Sequence, residues 1–106
     1  MAGAPTVTRE FRRYALRAEL FDEFLAWYLG GVPAHRARFG FTVELCIVDR
    51  ERLEFDWLVA HRGTPEEFRD AVAAHKADPD WVAYHARMPA AIERIEKSFV
   101  EVVAPG

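Results

Sequence analysis

The chain has 106 residues, of which 51% are hydrophobic and 13% aromatic, and its formal net charge is −3 at pH 7. The acidic balance excludes the dense cationic stripe that a nucleic-acid-binding protein needs, and no apolar stretch approaches the roughly 18 residues of a membrane span. We expect one domain over residues 1–106, with an ordered core at about residues 7–104, and an oligomer that covers part of the apolar surface.

Cysteine use and the first residues predict a cytoplasmic protein. The single Cys46 excludes an internal disulfide framework, and the sequence has no Cys-x-x-Cys or His-Glu-x-x-His pattern for a metal. The start, MAGAPTV, lacks the cationic residues and long apolar run of a signal peptide. We expect a protein of the reducing cytoplasm that holds no metal and no cofactor.

The first predicted element is a strand at Val7–Leu16, where side chains alternate between two faces. One face carries Glu10, Arg12, Tyr14 and Leu16, and the other carries Arg9, Phe11, Arg13 and Ala15. Arg12 and Arg13 are adjacent, so their guanidinium groups point to opposite faces of the sheet.

From residue 20 onward the apolar period lengthens to three and four, which predicts an amphipathic helix ending near Gly40. The stripe consists of Phe21, Phe24, Leu25, Tyr28, Val32, His35 and Phe39. Gly30, Gly31 and Pro33 interrupt it, and a proline removes one intrahelical hydrogen bond. We expect a kinked helix or one broken into two pieces.

Two further strands, at residues 41–48 and 53–61, flank a charged turn and predict a hairpin. Alternation predicts one solidly apolar face, made of Phe41, Val43, Leu45 and Ile47 with Leu53, Phe55, Trp57 and Val59. The other face is mixed, with Thr42, Glu44, Cys46 and Val48 beside Glu54, Asp56, Leu58 and Ala60. A mixed face of this kind is typical of half-buried surface.

Two capped helices follow the hairpin. Thr64, Pro65 and Glu67 form the pattern of a capping box, and Asp78-Pro79 starts a second, shorter helix. A last strand is predicted at residues 98–103, while residues 90–97 fit either the end of a helix or the start of that strand.

The element order βαββαβ predicts an α+β, ferredoxin-like fold: a four-stranded antiparallel sheet with strands one and three in the middle and helices on one face. The helices cover only one face of such a sheet. The mixed face then needs another cover, and a second copy of the chain, giving a homodimer through the sheet face, is the simplest one.

Three segments carry a family resemblance that spans most of the chain. They are EFRRYAL at residues 10–16, LFDEFLAWYLGGVPAHRARFGF at residues 20–41, and ADPDWVAYHARM at residues 77–88. In this order they resemble the NIPSNAP family, a branch of the dimeric α+β barrel group. The resemblance implies a barrel formed by two chains. The sequence departs from the family pattern at His61 and at Gly30-Gly31, beside the expected pocket, so no specific ligand is carried over.

The arginines of the first strand have two interpretations. In the first, Arg12 pairs with Glu44, Asp56 or Glu54 on the mixed face, because an unpaired buried charge costs several kcal/mol. In the second, Arg12 or Arg13 holds a carboxylate or enolate ligand.

We expect four histidines to point toward the apolar interior: His35, His75 and His85 from helices, and His61 from a strand. Histidine titrates near neutral pH, so any of them in a pocket suits general acid or base catalysis, although each also fits a packed, hydrogen-bonded core position. The aromatic residues Tyr14, Tyr28, Trp57, Trp81 and Tyr84 fit either a core or the wall of a small apolar pocket.

Two functions remain open. The first is a cofactor-free enzyme that acts on an aromatic or enolisable small molecule, as the resemblance to the dimeric barrel group implies, with Tyr14 and His61 as catalytic candidates. Its expected ligand-binding residues are Arg12, Arg13, Trp57, His75, Trp81, Tyr84 and His85. The second is a non-catalytic module for ligand binding or protein association, in which the same side chains pack the core and the dimer interface.

Overall fold

The computed structural model describes residues 6–104. In this part of the chain four strands and three helices follow in the order β1 (Val7–Leu16), α1 (Phe21–Ala37), β2 (Phe41–Asp49), β3 (Glu54–Arg62), α2 (Pro65–Ala77), α3 (Pro79–His85) and β4 (Ile92–Val100). A three-residue 3-10 helix at Ala18–Leu20 leads into α1. The order confirms the predicted βαββαβ arrangement. Residues 1–5 and 105–106, the two ends of the expected domain, lie outside the described residues.

The four strands form one antiparallel sheet in the order β2-β3-β1-β4, so strands one and three are central as predicted. Tyr14 of β1 lies opposite Phe55 of β3 on one side and opposite Ile95 of β4 on the other. Side chains of β1 alternate between faces as expected. The face that carries Tyr14 packs against the helices, and we call the opposite one the open face.

A β-bulge in β2 overturns part of the predicted face assignment. Val43 lies opposite Val59, but Leu45 lies opposite Leu58, so Glu44 is an extra residue in its strand. An inserted residue shifts every later side chain to the other face. Leu45 and Ile47 therefore point to the open face, contrary to the sequence prediction, and Cys46 and Val48 join the helix-covered face, opposite Trp57 and Phe55.

Pro33 does not break α1, which runs as one helix through Ala37. The chain then reverses at Gly40, whose φ of +86° lies in the left-handed region that favours glycine. The predicted strand at residues 53–61 begins one residue later, because Leu53 has a φ of 58° and belongs to the turn. The Leu53 carbonyl accepts a hydrogen bond from the N–H of Leu16, which ties this turn to β1.

Both predicted helix caps are confirmed. The Thr64 hydroxyl accepts from the N–H of Glu67, and the Glu67 carboxylate accepts from the N–H of Thr64, which completes the capping box of α2. The Asp78 carboxylate accepts from the N–H of Trp81 at the start of α3. The last strand was predicted too late, since β4 runs over Ile92–Val100; its half-exposed edge position weakens the apolar alternation there.

The core between the sheet and the helices is mainly aromatic. Phe24 and Val59 are fully buried, and the Tyr28 ring meets Phe55 and Trp57 edge to face, with centroid separations of 4.7 and 5.1 Å. Such T-shaped pairs add about 0.5–1.5 kcal/mol each to the free energy of burial. This packing holds α1 against the two central strands.

The open face combines apolar side chains with ion pairs. Leu45 and Ile47 are 45% and 47% exposed there, and Arg9 forms an ion pair with Glu44 at 2.7 Å. Arg9, rather than Arg12, is therefore the partner of Glu44, because Arg12 points to the opposite face. Within residues 6–104 no helix is long and apolar enough to cross a membrane.

Candidate functional site

A half-open cavity of about 630 Å³ lies between the helices and the sheet, and we call it the main cavity. Strands β1, β3 and β4 form its floor, and α1, α2 and α3 form its walls. Its lining residues are Arg12, Tyr14, Phe24, Trp27, Tyr28, Val32, Arg36, Trp57, His75, Lys76, Trp81, Val82, His85, Ala86, Met88, Ile92, Ile95 and Lys97. The volume lies within the range of small-molecule sites, which are typically apolar with a few polar groups.

Arg36 is the most unusual residue of this cavity. Its side chain comes from the last turn of α1 and is only 5% exposed, yet Nε and Nη1 have no hydrogen-bond partner. Its guanidinium carbon lies 5.0 Å from the Phe41 ring centroid and 5.2 Å from that of Trp57. Burial, and then the charge of Arg12, lower the pKa of Arg36 to about 10. Arg36 is thus a buried cation at neutral pH that no acidic side chain neutralises within ion-pair distance in the described chain.

Arg12 extends along the same face from the centre of β1. Its guanidinium carbon lies 5.0 Å from the Trp57 ring centroid and 5.6 Å from that of Tyr14. Its nearest carboxylate is Glu10, at 3.7 Å from Nε, which is too long for a hydrogen bond and leaves buried Nε without a partner. Both guanidinium groups therefore contact the Trp57 ring and keep N–H donors free.

His75 supplies a neutral imidazole to the same cavity. It is 1% exposed, lies 4.3 Å from the Trp81 ring centroid, and has no hydrogen-bond partner on either ring nitrogen. Burial, with the charge of Arg36 as the next cause, lowers the pKa of His75 to about 4. At neutral pH the side chain is therefore uncharged, and its nitrogen lone pair has no hydrogen-bond partner in the described chain.

The two tyrosines of the cavity are held in the phenol form. Burial raises the pKa of Tyr14, although the nearby Arg12 opposes this shift, and burial raises the pKa of Tyr28 as well. The Tyr28 hydroxyl accepts a hydrogen bond from the Cys46 thiol, with a distance of 3.6 Å between oxygen and Sγ. The bulge in β2 makes this bond possible because it turns Cys46 toward the helix-covered face. Tyr14 and Tyr28 can donate a proton or a hydrogen bond at neutral pH, but neither is a base there.

A second, smaller cavity of about 270 Å³ adjoins the main cavity, and we call it the side groove. It runs between α2 and β4. Its lining residues are Glu10, Arg12, Phe68, Arg69, Val72, Lys76, Lys97, Ser98 and Phe99. Arg12, Lys76 and Lys97 line both cavities, so the two spaces meet at these three cations.

The main cavity brings six of the nine site residues expected from the sequence together: Arg12, Tyr14, Trp57, His75, Trp81 and His85. Three others lie elsewhere. Arg13 points to the open face, where its guanidinium lies over the Phe11 ring, and His61 packs between Phe41 and Phe68 beside Gly40. His61 lies opposite Thr8 in the sheet, four residue pairs away from the Arg12–Trp57 pair, so alternation put it on the right face but at the wrong end.

Tyr84 also lies outside the lining of the main cavity. Its hydroxyl donates to the carbonyl of Trp27, and its ring stacks on the Trp27 indole at a centroid separation of 5.3 Å. The Trp27 indole N–H in turn donates to the carbonyl of Tyr84 at 3.2 Å. These reciprocal bonds give Tyr84 a structural position that fastens α3 to α1.

Sequence reasoning missed Arg36, Lys76 and Lys97. A signal for Arg36 was present, because it stands four residues after Val32 and eight after Tyr28, on the buried stripe of α1. The neighbouring His35 was instead named as the inward-pointing candidate of this helix turn. It lies against Tyr84 and Trp81, outside the main cavity. Among residues 6–104, no group of three or more His, Cys, Asp or Glu side chains is arranged to hold a metal ion.

Comparison with known proteins relates the chain to others by fold. Neither protein-family models nor curated proteins give a match. Among solved structures, an uncharacterised NIPSNAP domain protein from Burkholderia xenovorans superposes with a TM-score of 0.79 at 19% sequence identity, covering 95% of this chain and all (100%) of that one. A NIPSNAP family protein of unknown function from Agrobacterium tumefaciens gives 0.79 at 15% identity, covering 92% and 89% of the two chains.

A candidate antibiotic biosynthesis monooxygenase from Bacteroides thetaiotaomicron is similar at a TM-score of 0.68 and 19% identity, with 98% of this chain and 96% of that chain covered. At such identities the likenesses establish the fold. They confirm the resemblance to NIPSNAP structures and the ferredoxin-like architecture that the sequence predicted.

Proposed function

We propose that the chain binds a small aromatic or enolisable anion in the main cavity and acts on it by acid–base chemistry without a tightly bound cofactor. The observation that carries this proposal is the buried guanidinium of Arg36, whose Nε and Nη1 have no hydrogen-bond partner. A buried charge without a counterion costs several kcal/mol, and an anionic ligand would offset that cost on binding.

The surroundings of Arg36 fit the same class of ligand. Arg12 offers a second guanidinium over the same Trp57 ring, so a carboxylate or enolate between them would receive charge-assisted hydrogen bonds from both. The remaining wall is apolar and aromatic, with Trp27 and Trp81 available to contact a flat ring. The expected ligand therefore has an aromatic body and an acidic head.

The proposed reaction is removal of a proton next to a carbonyl group. In this step His75 takes the proton, the C–H bond breaks, and its electron pair moves to the carbonyl oxygen to form an enolate. Arg12 or Arg36 would stabilise that oxyanion, the phenol of Tyr14 could return a proton to the enolate, and the proton held by His75 would then regenerate the phenol. This assigns the oxyanion role to Arg36 in place of Arg13 and the base role to His75 in place of His61.

The second candidate is a non-catalytic binding module, and the environment of His75 favours it. A pKa of about 4 makes this imidazole a weak base, and aromatic rings of Phe39 and Trp81 stand beside it at 5.5 and 4.3 Å. A weak base takes a proton from carbon with little driving force. In this alternative Arg36 and Arg12 hold the ligand and no bond is broken.

Proton exchange distinguishes the two candidates. Phenylpyruvate is an aromatic 2-oxo acid, and in D2O its methylene protons exchange through the enol, which NMR follows directly. Acid–base catalysis predicts accelerated exchange that His75→Gln removes while binding, followed by thermal shift, persists. Binding with no acceleration over the protein-free rate would support the binding module. The absence of any thermal shift by phenylpyruvate or hydrocinnamate (3-phenylpropanoate) would contradict both candidates.

The proposal includes a homodimer of cytoplasmic chains. Leu45 and Ile47 on the open face, with Phe11 and Leu58 beside them, give an apolar surface that a second copy could cover. The main cavity lies on the opposite side of the sheet, so such a dimer leaves it intact. Cys46 has a free thiol, which suits a reducing compartment.

A further inference from the structure

The side groove has a charge imbalance that the main cavity alone does not explain. Four cationic side chains line it, those of Arg12, Arg69, Lys76 and Lys97, against the single carboxylate of Glu10. Among the described residues, none of Arg69, Lys76 and Lys97 has a carboxylate within ion-pair distance. The charge of Arg12, and then burial, lower the pKa of Lys97, which indicates repulsion between these cations.

The groove also has a shaped apolar wall. Phe99 meets Phe68 edge to face at a centroid separation of 5.3 Å, and the Arg69 guanidinium carbon lies 5.0 Å from the Phe99 ring centroid. Arg69 is thus held over the groove by its own ring contact. Because Arg12, Lys76 and Lys97 belong to both linings, a ligand that fills the main cavity can extend past them into the groove.

We infer that the ligand of the main cavity carries two anionic groups, one bound between Arg36 and Arg12 and the other in the side groove near Lys97 and Arg69. This inference rests on the proposed function and narrows it to aromatic dianions. A carboxylate and a phosphate present the same chemistry to lysine and arginine, namely oxygen acceptors with negative charge. The second group neutralises cations that a monoanion would leave repelling one another.

A matched pair of small acids tests the inference. Hydrocinnamate has one carboxylate, and 2-benzylsuccinate is the same acid with an added carboxymethyl group. In calorimetry on the full chain we expect 2-benzylsuccinate to bind at least about tenfold more tightly than hydrocinnamate. Charge-assisted hydrogen bonds contribute about 1.5–3 kcal/mol, and about 1.4 kcal/mol corresponds to a tenfold change in affinity. 2-Benzyl-3-phosphonopropanoate, the same acid with a phosphonate in place of the distal carboxylate, then reports whether a phosphate-like group can serve as the distal group.

Variants locate the second anionic group. Arg69→Gln, which changes a residue of the side groove alone, should remove most of the tenfold advantage and leave hydrocinnamate binding within about twofold. Lys97→Met should also remove most of the advantage, measured within the variant as the ratio of the two affinities, because Lys97 lines both cavities. Arg87→Gln is the matched control, because Arg87 also lies 5.0 Å from an aromatic ring centroid, that of Tyr84, but lines neither cavity. It should keep the full advantage.

The outcomes separate this inference from the proposed function. Equal affinity for the two acids, or an advantage that survives both groove variants, would overturn the two-anion inference while hydrocinnamate binding upholds the main site. If neither acid binds, both the proposed function and the two-anion inference are overturned. A tenfold preference that falls in both groove variants and persists in Arg87→Gln supports the inference.

Discussion

The ring of Tyr84 lies directly on the backbone of Gly31. A Cβ atom built on Gly31 would come within 2.7 Å of the Tyr84 hydroxyl oxygen and 2.8 Å of Cε1, closer than real Cβ contacts allow. The hydroxyl also donates to the carbonyl of Trp27, four residues earlier in α1. Glycine at this position thus lets α3 pack against α1 and close one wall of the main cavity.

We predict that Gly31→Ala lowers the free energy of unfolding by about 1–2 kcal/mol. Overpacking costs about 1–3 kcal/mol, and the better helix propensity of alanine returns up to about 1 kcal/mol. Gly30→Ala should cost less, because its added Cβ would lie 3.2 Å from the same hydroxyl. Chemical denaturation measures both. In a Tyr84→Ala background Gly31→Ala should become neutral or stabilising, and a persistent loss there would contradict the steric explanation.

The capping box of α2 gives a prediction about stability alone. Thr64→Ala removes the hydroxyl that accepts from Glu67 N–H and should cost about 1 kcal/mol in urea unfolding. Thr64→Ser keeps an acceptor oxygen and should remain within about 0.5 kcal/mol of the parent chain. Equal losses in the two variants would show that the methyl group, rather than the cap, stabilises this position.

His75 predicts a specific dependence of stability on pH. Its pKa in the folded chain, about 4, lies below the ordinary value of 6.5, so the unfolded chain binds the additional proton between these values. Stability therefore falls as the pH drops from about 6.5 toward 4, and this residue contributes about 2–3 kcal/mol to the loss between pH 7 and pH 4.5.

The variant His75→Phe keeps an aromatic ring beside Trp81 but cannot titrate. Urea unfolding at pH 7 and pH 4.5 should show a pH-dependent loss smaller than in the parent chain by that same 2–3 kcal/mol. Carboxylates titrate equally in both chains and cancel in the comparison. An identical pH dependence in the two chains would mean that His75 does not remain neutral in the folded state.

The open face predicts the site of self-association. Leu45→Lys should convert the proposed dimer to a monomer in sedimentation velocity, because it introduces a charge into the apolar surface that the second copy covers. Leu29→Lys is the control, since Leu29 is 65% exposed on α1, away from the sheet. A parent chain that sediments as a monomer, or a dimer that survives Leu45→Lys, would contradict dimerisation through this face.

The fold was predictable because its signals are local. The starts of two helices were predictable because the side chains of Thr64, Glu67 and Asp78 accept hydrogen bonds from backbone N–H groups close by in the sequence. The alternation of side chains in β1 likewise follows from its own sequence and does not depend on the neighbouring strands. Glu44 shows the limit of this approach. An extra residue in one strand depends on how that strand pairs with its neighbour, so simple alternation assigned Leu45 and Cys46 to the wrong faces.

The site was predictable only in part for a related reason. Alternation along β1 correctly separated Arg12 from Arg13, and helical spacing brought His75 inward. Position along a strand was not encoded locally, so His61 was expected in a cavity whose Arg12–Trp57 pair lies four residue pairs away from it. Arg36 was overlooked because an arginine on a buried stripe ordinarily has an acidic partner, and the absence of one appears only in three dimensions.

The most direct test of the anion site is the variant Arg36→Met, measured for unfolding in urea and for hydrocinnamate binding. Methionine keeps the apolar contacts with Trp57 and Phe41 but removes the buried charge, so stability without ligand should rise by about 1–3 kcal/mol. Affinity should fall about tenfold or more. The control Arg38→Met removes an exposed cation paired with Asp78 and Asp80 and should change neither quantity by more than about 0.5 kcal/mol. A less stable Arg36→Met chain that still binds hydrocinnamate with the parent affinity would contradict the account.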